Sequence, residues 1–175
     1  MKNQQFLAIV LIGIFSVCQA QENLTLQVQK EAMIKLEILE GNWKGSGWMM
    51  TREGRQTFTQ TEEVELATGG ITLLVKGKGT NEEGVLVHDA LGVFYFNPES
   101  NQYEFQAHVA KGYHTNAWAK YEEGSIIWGY DHPYAGSMKY TISINNLGQW
   151  VEIGEMSRDG NEWMQIFEMT LSKVN

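Results

Sequence analysis

Cysteine, basic residues and long apolar runs are all scarce in this sequence, and each scarcity removes a class of explanation. Cysteine occurs once, at Cys18. It falls inside an N-terminal segment read below as a leader, so the rest of the chain has no disulfide, no thiolate nucleophile and no thiolate metal site. Stability must then come from burial. The 13 Lys and Arg are outnumbered by 21 Asp and Glu, for a net charge of −8 with no basic patch. That balance argues against nucleic acid and against anionic membrane surfaces as partners. The one sustained apolar run, Phe6 to Val17, is too short for stable membrane insertion.

That run has the layout of a secretory signal peptide over residues 1–20. Lys2 supplies the basic start, and Cys18-Gln19-Ala20 places small residues at the third-last and last positions before a cut. Cleavage there leaves 155 residues and, with Lys2 gone, a net charge of −9. Phe15-Ser16-Val17 lacks the small residue that normally precedes a lipid-attached cysteine, so lipid anchoring at Cys18 is disfavoured. The expectation is an exported protein, periplasmic or extracellular, with a helix over 21–40 and a β-barrel over 41–175.

Beyond the leader, Val28, Ala32, Leu36 and Leu39 fall at helical spacing, with Met33 beside them. Thr25 or Asn23 suits the N-cap, and Gly41 sits where a left-handed C-terminal residue belongs. From Trp43 onward the period changes to two. Strands are predicted near 42–50, 55–67, 70–79, 84–97, 102–110, 113–121, 125–131, 136–145, 149–157 and 162–173, divided by Gly- and Asn-rich turns. Ten strands in meander order leave two unpaired edges unless the sheet closes. The predicted fold is therefore all-β: a single up-and-down antiparallel barrel of about ten strands behind a short N-terminal α-helix. A barrel of that size is wide enough to hold a cavity.

Turn lengths set the registers. Asp159-Gly160 reads as a two-residue type I′ turn that places Met156 opposite Trp163 and Gly154 opposite Gln165. Pairing Phe96 with Tyr103 also brings Phe94 against Phe105, a favourable aromatic match. A two-residue turn at Lys111-Gly112 then sets Phe105 by Trp118 and puts His114 and Asn116 on the same face. With Trp43, these residues make the candidate ligand-binding set: Trp43, His88, Phe94, Tyr103, Phe105, His114, Asn116 and Trp118. Apolar walls with a few orienting polar groups are the pattern of a small-molecule pocket.

Leu36-x-x-Leu39-x-Gly41-x-Trp43-x-Gly45-x-Gly47 resembles the opening of a bacterial family of secreted lipocalin-like proteins of unknown function, within the calycin superfamily. The similarity continues at Phe58-x-Gln60-x-Glu62, at His88-Asp89-Ala90-Leu91-Gly92 and through Gly92-Val93-Phe94-Tyr95-Phe96-Asn97-Pro98. It reappears at Trp150-Val151-Glu152-Ile153-Gly154-Glu155, and closes with Ser157-Arg158-Asp159-Gly160, Trp163 and Phe167-Glu168-Met169. The resemblance implies a ten-stranded barrel of the nitrobindin or fatty-acid-binding type around a small hydrophobic or amphipathic ligand. Nitrobindin-like barrels take a haem-ligating histidine from the last strand region. Residues 133–175 contain no histidine, so haem is disfavoured and no cofactor is assigned.

Reactive groups offer little else. His88-Asp89 and Asp131-His132 are adjacent pairs, and neighbours in a strand point to opposite faces, so neither makes a dyad. His108 falls on the face opposite His88, which disfavours a two-histidine metal site. Glu62, Glu152, Glu155 and Glu168 lie within strands; on an acidic chain they read first as an outer solvated face, and only a facing pair inside would suggest acid–base work. No serine sits in a nucleophile elbow and no glycine loop leads into a helix. No catalytic or metal residue is assigned, and the oligomeric state stays open. Three readings follow: a binding barrel, an enzyme using a barrel His or Glu, and a filled barrel serving as a structural or interaction module.

Overall fold

The structure is a computed structural model that describes residues 24–174; the expected leader, Cys18 and Asn23 lie outside them. Residues 24–33 form α1, which tightens into a 3₁₀ segment over Ile34–Leu39. Its inward face is Gln29, Ala32, Met33, Leu36 and Leu39, whereas Val28, expected on that face, is exposed. Gln29 is buried because its amide has a partner: Nε2 donates to Phe96 O at 2.9 Å. Two further side chains tie the helix down. The Tyr103 hydroxyl donates to Ala32 O and Trp43 Nε1 donates to Leu39 O, each at 2.7 Å. The second bond satisfies one of the carbonyls that a helix end leaves unpaired. Thr25 falls inside the helix rather than capping it. Gly41, at φ +118°, opens the first strand instead of adopting the left-handed helical geometry expected of it.

Ten strands follow among the described residues. They are β1 Gly41–Thr51, β2 Gly54–Ala67, β3 Thr72–Thr80, β4 Leu86–Asn97 and β5 Gln102–Val109, then β6 Tyr113–Glu122, β7 Ser125–His132, β8 Gly136–Ile144, β9 Trp150–Ser157 and β10 Met164–Val174. Each predicted strand is present with its ends within two residues. Every strand pairs antiparallel with its neighbours in sequence, and β1 pairs with β10 from Asn42↔Val174 to Met49↔Phe167, so the barrel closes. Closure leaves no open sheet edge to template aggregation. At Gly45 and Gly47 an added Cβ would run into the carbonyls of Thr170 and Glu168, so glycine there permits the close approach of β10.

Two registers differ from expectation, the first by one residue and the second by one and then two. The β4–β5 register is as predicted, with Phe94↔Phe105 and Phe96↔Tyr103. The next hairpin, however, uses three loop residues rather than two. Val109 pairs with Tyr113, Gly112 N donates to Val109 O at 2.9 Å, and Gly112 takes φ +86°. This is a turn followed by a left-handed glycine, the usual three-residue hairpin. A slip of one residue reverses every side chain. His114, Asn116 and Trp118 therefore face outward, opposite His108, Gln106 and Glu104. The Asp159-Gly160 hairpin is likewise longer than two residues. Asp159 Oδ1 accepts from the backbone N–H groups of Asn161 and Glu162, and Ser157 Oγ accepts from Gly160 N. Met156 consequently faces Met164, and an irregularity between Gln165 and Phe167 brings Gly154 opposite Phe167.

The interior has two halves. Beneath the helix it is solid, with Leu36, Leu39, Trp43, Leu73, Trp150 and Leu171 all at most 2% exposed. Toward the loops at the other end it is not filled.

Candidate ligand-binding site

The unfilled half holds a partly open cavity of about 330 Å³. Phe58, Phe94, Phe105, Phe167, Met49 and Val75 wall it, and Val87, one-third exposed, marks its mouth. Alternation puts these walls in place: Phe58, Gln60, Glu62 and Val64 share the inner face of β2, as Trp150, Glu152 and Gly154 share that of β9. Aromatic rings pack on one another around it. Phe94 stacks on Phe105 at 4.2 Å between centroids, Trp128 stacks on Tyr140 at 4.2 Å, and Phe105 meets Trp128 edge-on at 4.8 Å.

Two carboxyls lie against the cavity. Glu62 and Glu152 are each 7% exposed and both line it. Gln60 Nε2 donates to Glu62 Oε1 at 2.6 Å, and Trp128 Nε1 donates to Glu152 Oε1 at 3.3 Å. Glu62 Oε2 and Trp150 Nε1 are buried without a hydrogen bond. The Trp150 N–H nevertheless lies close enough to Glu152 to favour its charged form. Burial pushes the Glu62 carboxyl up to about 7, against the pull of the Gln60 bond. Burial, reinforced by the charge on Glu62, pushes Glu152 up to about 8. Gly77, across from Glu62 on β3, leaves room for the pair: a Cβ there would sit 2.7 Å from Glu62 Oε1 and 2.8 Å from Oε2. The expectation of a solvated outer face for these two glutamates is overturned, while Glu155 pairs outside with Lys139 at 2.8 Å.

Of the eight expected site residues, the structure brings His88, Phe94 and Phe105 to the cavity. Desolvation lowers the His88 pKa, so its ring is held neutral. Trp43 and Tyr103 point inward but belong to the solid half, where they clamp the helix. His114, Asn116 and Trp118 are on the outside for the register reason given above. There Trp118 lies over Gly129, its ring 2.5 Å from where a Cβ would be. Asp131 and His132 serve the β7–β8 turn: Asp131 Oδ1 accepts from Ser137 Oγ at 2.7 Å, and His132 Nδ1 accepts from the Tyr134 and Ala135 amides. Among the described residues no group of three or more His, Cys, Asp or Glu is placed to hold a metal ion. None of their helices is long and apolar enough to cross a membrane.

The sequence matches no family model and no curated protein. Its shape does find likenesses. The Rv2717c protein of M. tuberculosis superposes with a TM-score of 0.61 at 12% identity, over 82% of this chain and 98% of that one. The S-type phycobiliprotein lyase CPES of Guillardia theta superposes with a TM-score of 0.59 at 7% identity, over 79% and 90%. The fold is lipocalin-like. At such identities the likeness extends to the barrel and no further.

Proposed function

We propose that this barrel binds a small apolar or amphipathic molecule non-covalently in its cavity, and that it does so after export. The observation that carries the reading is the cavity itself: about 330 Å³, walled by aromatic rings, with Glu62, Gln60, Glu152, His88 and Thr115 and the hydroxyls of Tyr130 and Tyr140 as its polar groups. Ligand pockets of roughly 300–1,000 Å³ share that make-up, and apolar burial supplies most of their affinity. A filled barrel, the structural or interaction reading, would have solid packing in both halves, and only the helix half has it.

A second reading, an enzyme acting on such a guest, is favoured by the glutamate pair. Carboxyls raised to about 7 and 8 are poised for general acid–base work near neutral pH. One structural neighbour is by name a phycobiliprotein lyase, so a barrel of this shape serves an enzyme there. In this reading Glu62→Gln or Glu152→Gln abolishes turnover while ligand affinity stays within about threefold.

Native mass spectrometry of protein purified from the exported fraction, without detergent, tests the lead. An additional mass that disappears on denaturation supports binding and gives the guest's size, and a polypeptide beginning at Gln21 supports the leader. A bare mass that stays bare after challenge with fatty acids and haem favours the filled barrel and overturns the binding reading.

A further inference from the structure

We infer that the guest is an amphipathic cation, its ammonium group received by Glu62 and Glu152 and its apolar body lying against the aromatic walls. The inference rests on the binding reading above and names the ligand class for the same cavity.

Charge is the first argument. Among the described residues lining the cavity there are two carboxyls and neither lysine nor arginine. The other ionisable groups facing it are His88 from β4, Tyr130 from β7 and Tyr140 from β8. Desolvation keeps the histidine neutral, and burial keeps both hydroxyls protonated. β1, β3, β5, β6 and β10 add no ionisable group to the lining. An anionic head such as a fatty-acid carboxylate would meet two acids and no counter-charge.

The second argument is an unused acceptor. Gln60 occupies Glu62 Oε1 and Trp128 occupies Glu152 Oε1, which fixes both carboxyls in place. Glu62 Oε2 is left buried at the cavity with no donor. An ionised carboxylate only accepts, whereas an ammonium group offers three donors and a charge. A buried polar atom without a partner is costly, and a guest that supplies the donor removes the cost.

The third is the company the carboxyls keep. Trp128, Tyr130 and Tyr140 line the same cavity, Trp128 stacked between the two tyrosines at 6.3 and 4.2 Å. Aromatic rings beside carboxylates are the surroundings in which organic cations are held, since the ring faces attract positive charge.

A proton balance follows. The empty pair holds protons near neutral pH because two desolvated carboxyls resist ionising together. An arriving ammonium group makes the ionised form favourable, so binding expels a proton into solution. Affinity for an amine that stays charged therefore rises between about pH 6 and pH 8.

The test is calorimetry of the purified protein with three indole probes of matched shape: tryptamine (cation), tryptophol (neutral) and indole-3-propionate (anion). Each titration is run in two buffers of different ionisation enthalpy, which reveals protons released. Tryptamine is expected to bind at least about tenfold tighter than either analogue, with proton release. Glu62→Gln, which keeps the side chain's shape, should cut tryptamine affinity about tenfold or more, suppress the proton release and remove the preference for tryptamine over tryptophol. Equal or tighter binding of tryptophol or indole-3-propionate overturns the cation while leaving the binding barrel intact, as does tryptamine binding without proton release. Failure of all three probes also overturns it, and the native-mass experiment then decides separately whether the cavity takes any guest.

Discussion

A glutamate inside a barrel is a burden on stability whose size depends on pH, and the sign can be worked out. In the unfolded chain Glu62 and Glu152 ionise near 4.5; in the folded protein they do so near 7 and 8. Between those values the folded state holds more protons than the unfolded one, so stability falls as pH rises. The pair's contribution is fully present below about 4.5 and is lost through 7 and 8. Thermal melts from about pH 5.5 to pH 8 should show a Tm lowered by this pair as pH rises, a contribution that disappears in the double variant Glu62→Gln, Glu152→Gln; a pH dependence unchanged by the substitutions would contradict the assignment. Gly77→Ala would push a methyl group into both oxygens of Glu62, and about 1–3 kcal/mol of destabilisation is expected in urea titrations. The inward placement of the pair had a sequence signal that composition outweighed. Glu62 shares parity with Phe58 and Val64, and Glu152 with Trp150 and Gly154, so each sits on an otherwise inward face. An acidic chain makes glutamate look like surface. Alternation was the better guide.

At the scale of elements, strand positions were legible because glycine and asparagine turns bracket every period-two run. Registers were less so. Lys111-Gly112 fits a two-residue turn or the end of a three-residue loop, and nothing local separates them; the choice still decides which face three candidate site residues occupy. Replacing His114, Asn116 or Trp118 by alanine should leave ligand affinity within about twofold, whereas Phe105→Ala, which empties a cavity wall, should weaken it. A loss of affinity at Trp118 comparable to that at Phe105 would restore the rejected register, which placed both inside. Helical spacing located the N-terminal helix, but its buried face is rotated toward Gln29, because a barrel-end carbonyl at Phe96 was available to an amide. Leu36, on the inward face of that helix, is 1% exposed, and Leu36→Ala should cost about 2–5 kcal/mol. Trp43→Phe keeps an aromatic side chain but shrinks the buried indole to a phenyl and strips the donor from Leu39 O, for about 1–3 kcal/mol or more. Both costs are read from denaturant midpoints at constant slope.

For the molecule as a whole, the helix packs over one end of the barrel and the cavity opens toward the other, among the described residues. The closing of the sheet has a further consequence, in time rather than in space. The final seam joins Gly41–Thr51 to Met164–Val174, segments separated by more than a hundred residues. A chain emerging from a ribosome can build hairpin after hairpin, but until its tenth strand arrives both edges of the growing sheet stand bare. Pairings of such long sequence separation are slow to form, and unpaired edges invite pairing with other chains. The protein is therefore most vulnerable until its tenth strand arrives, and a nascent chain stalled short of residue 164 would be a sheet with two sticky sides.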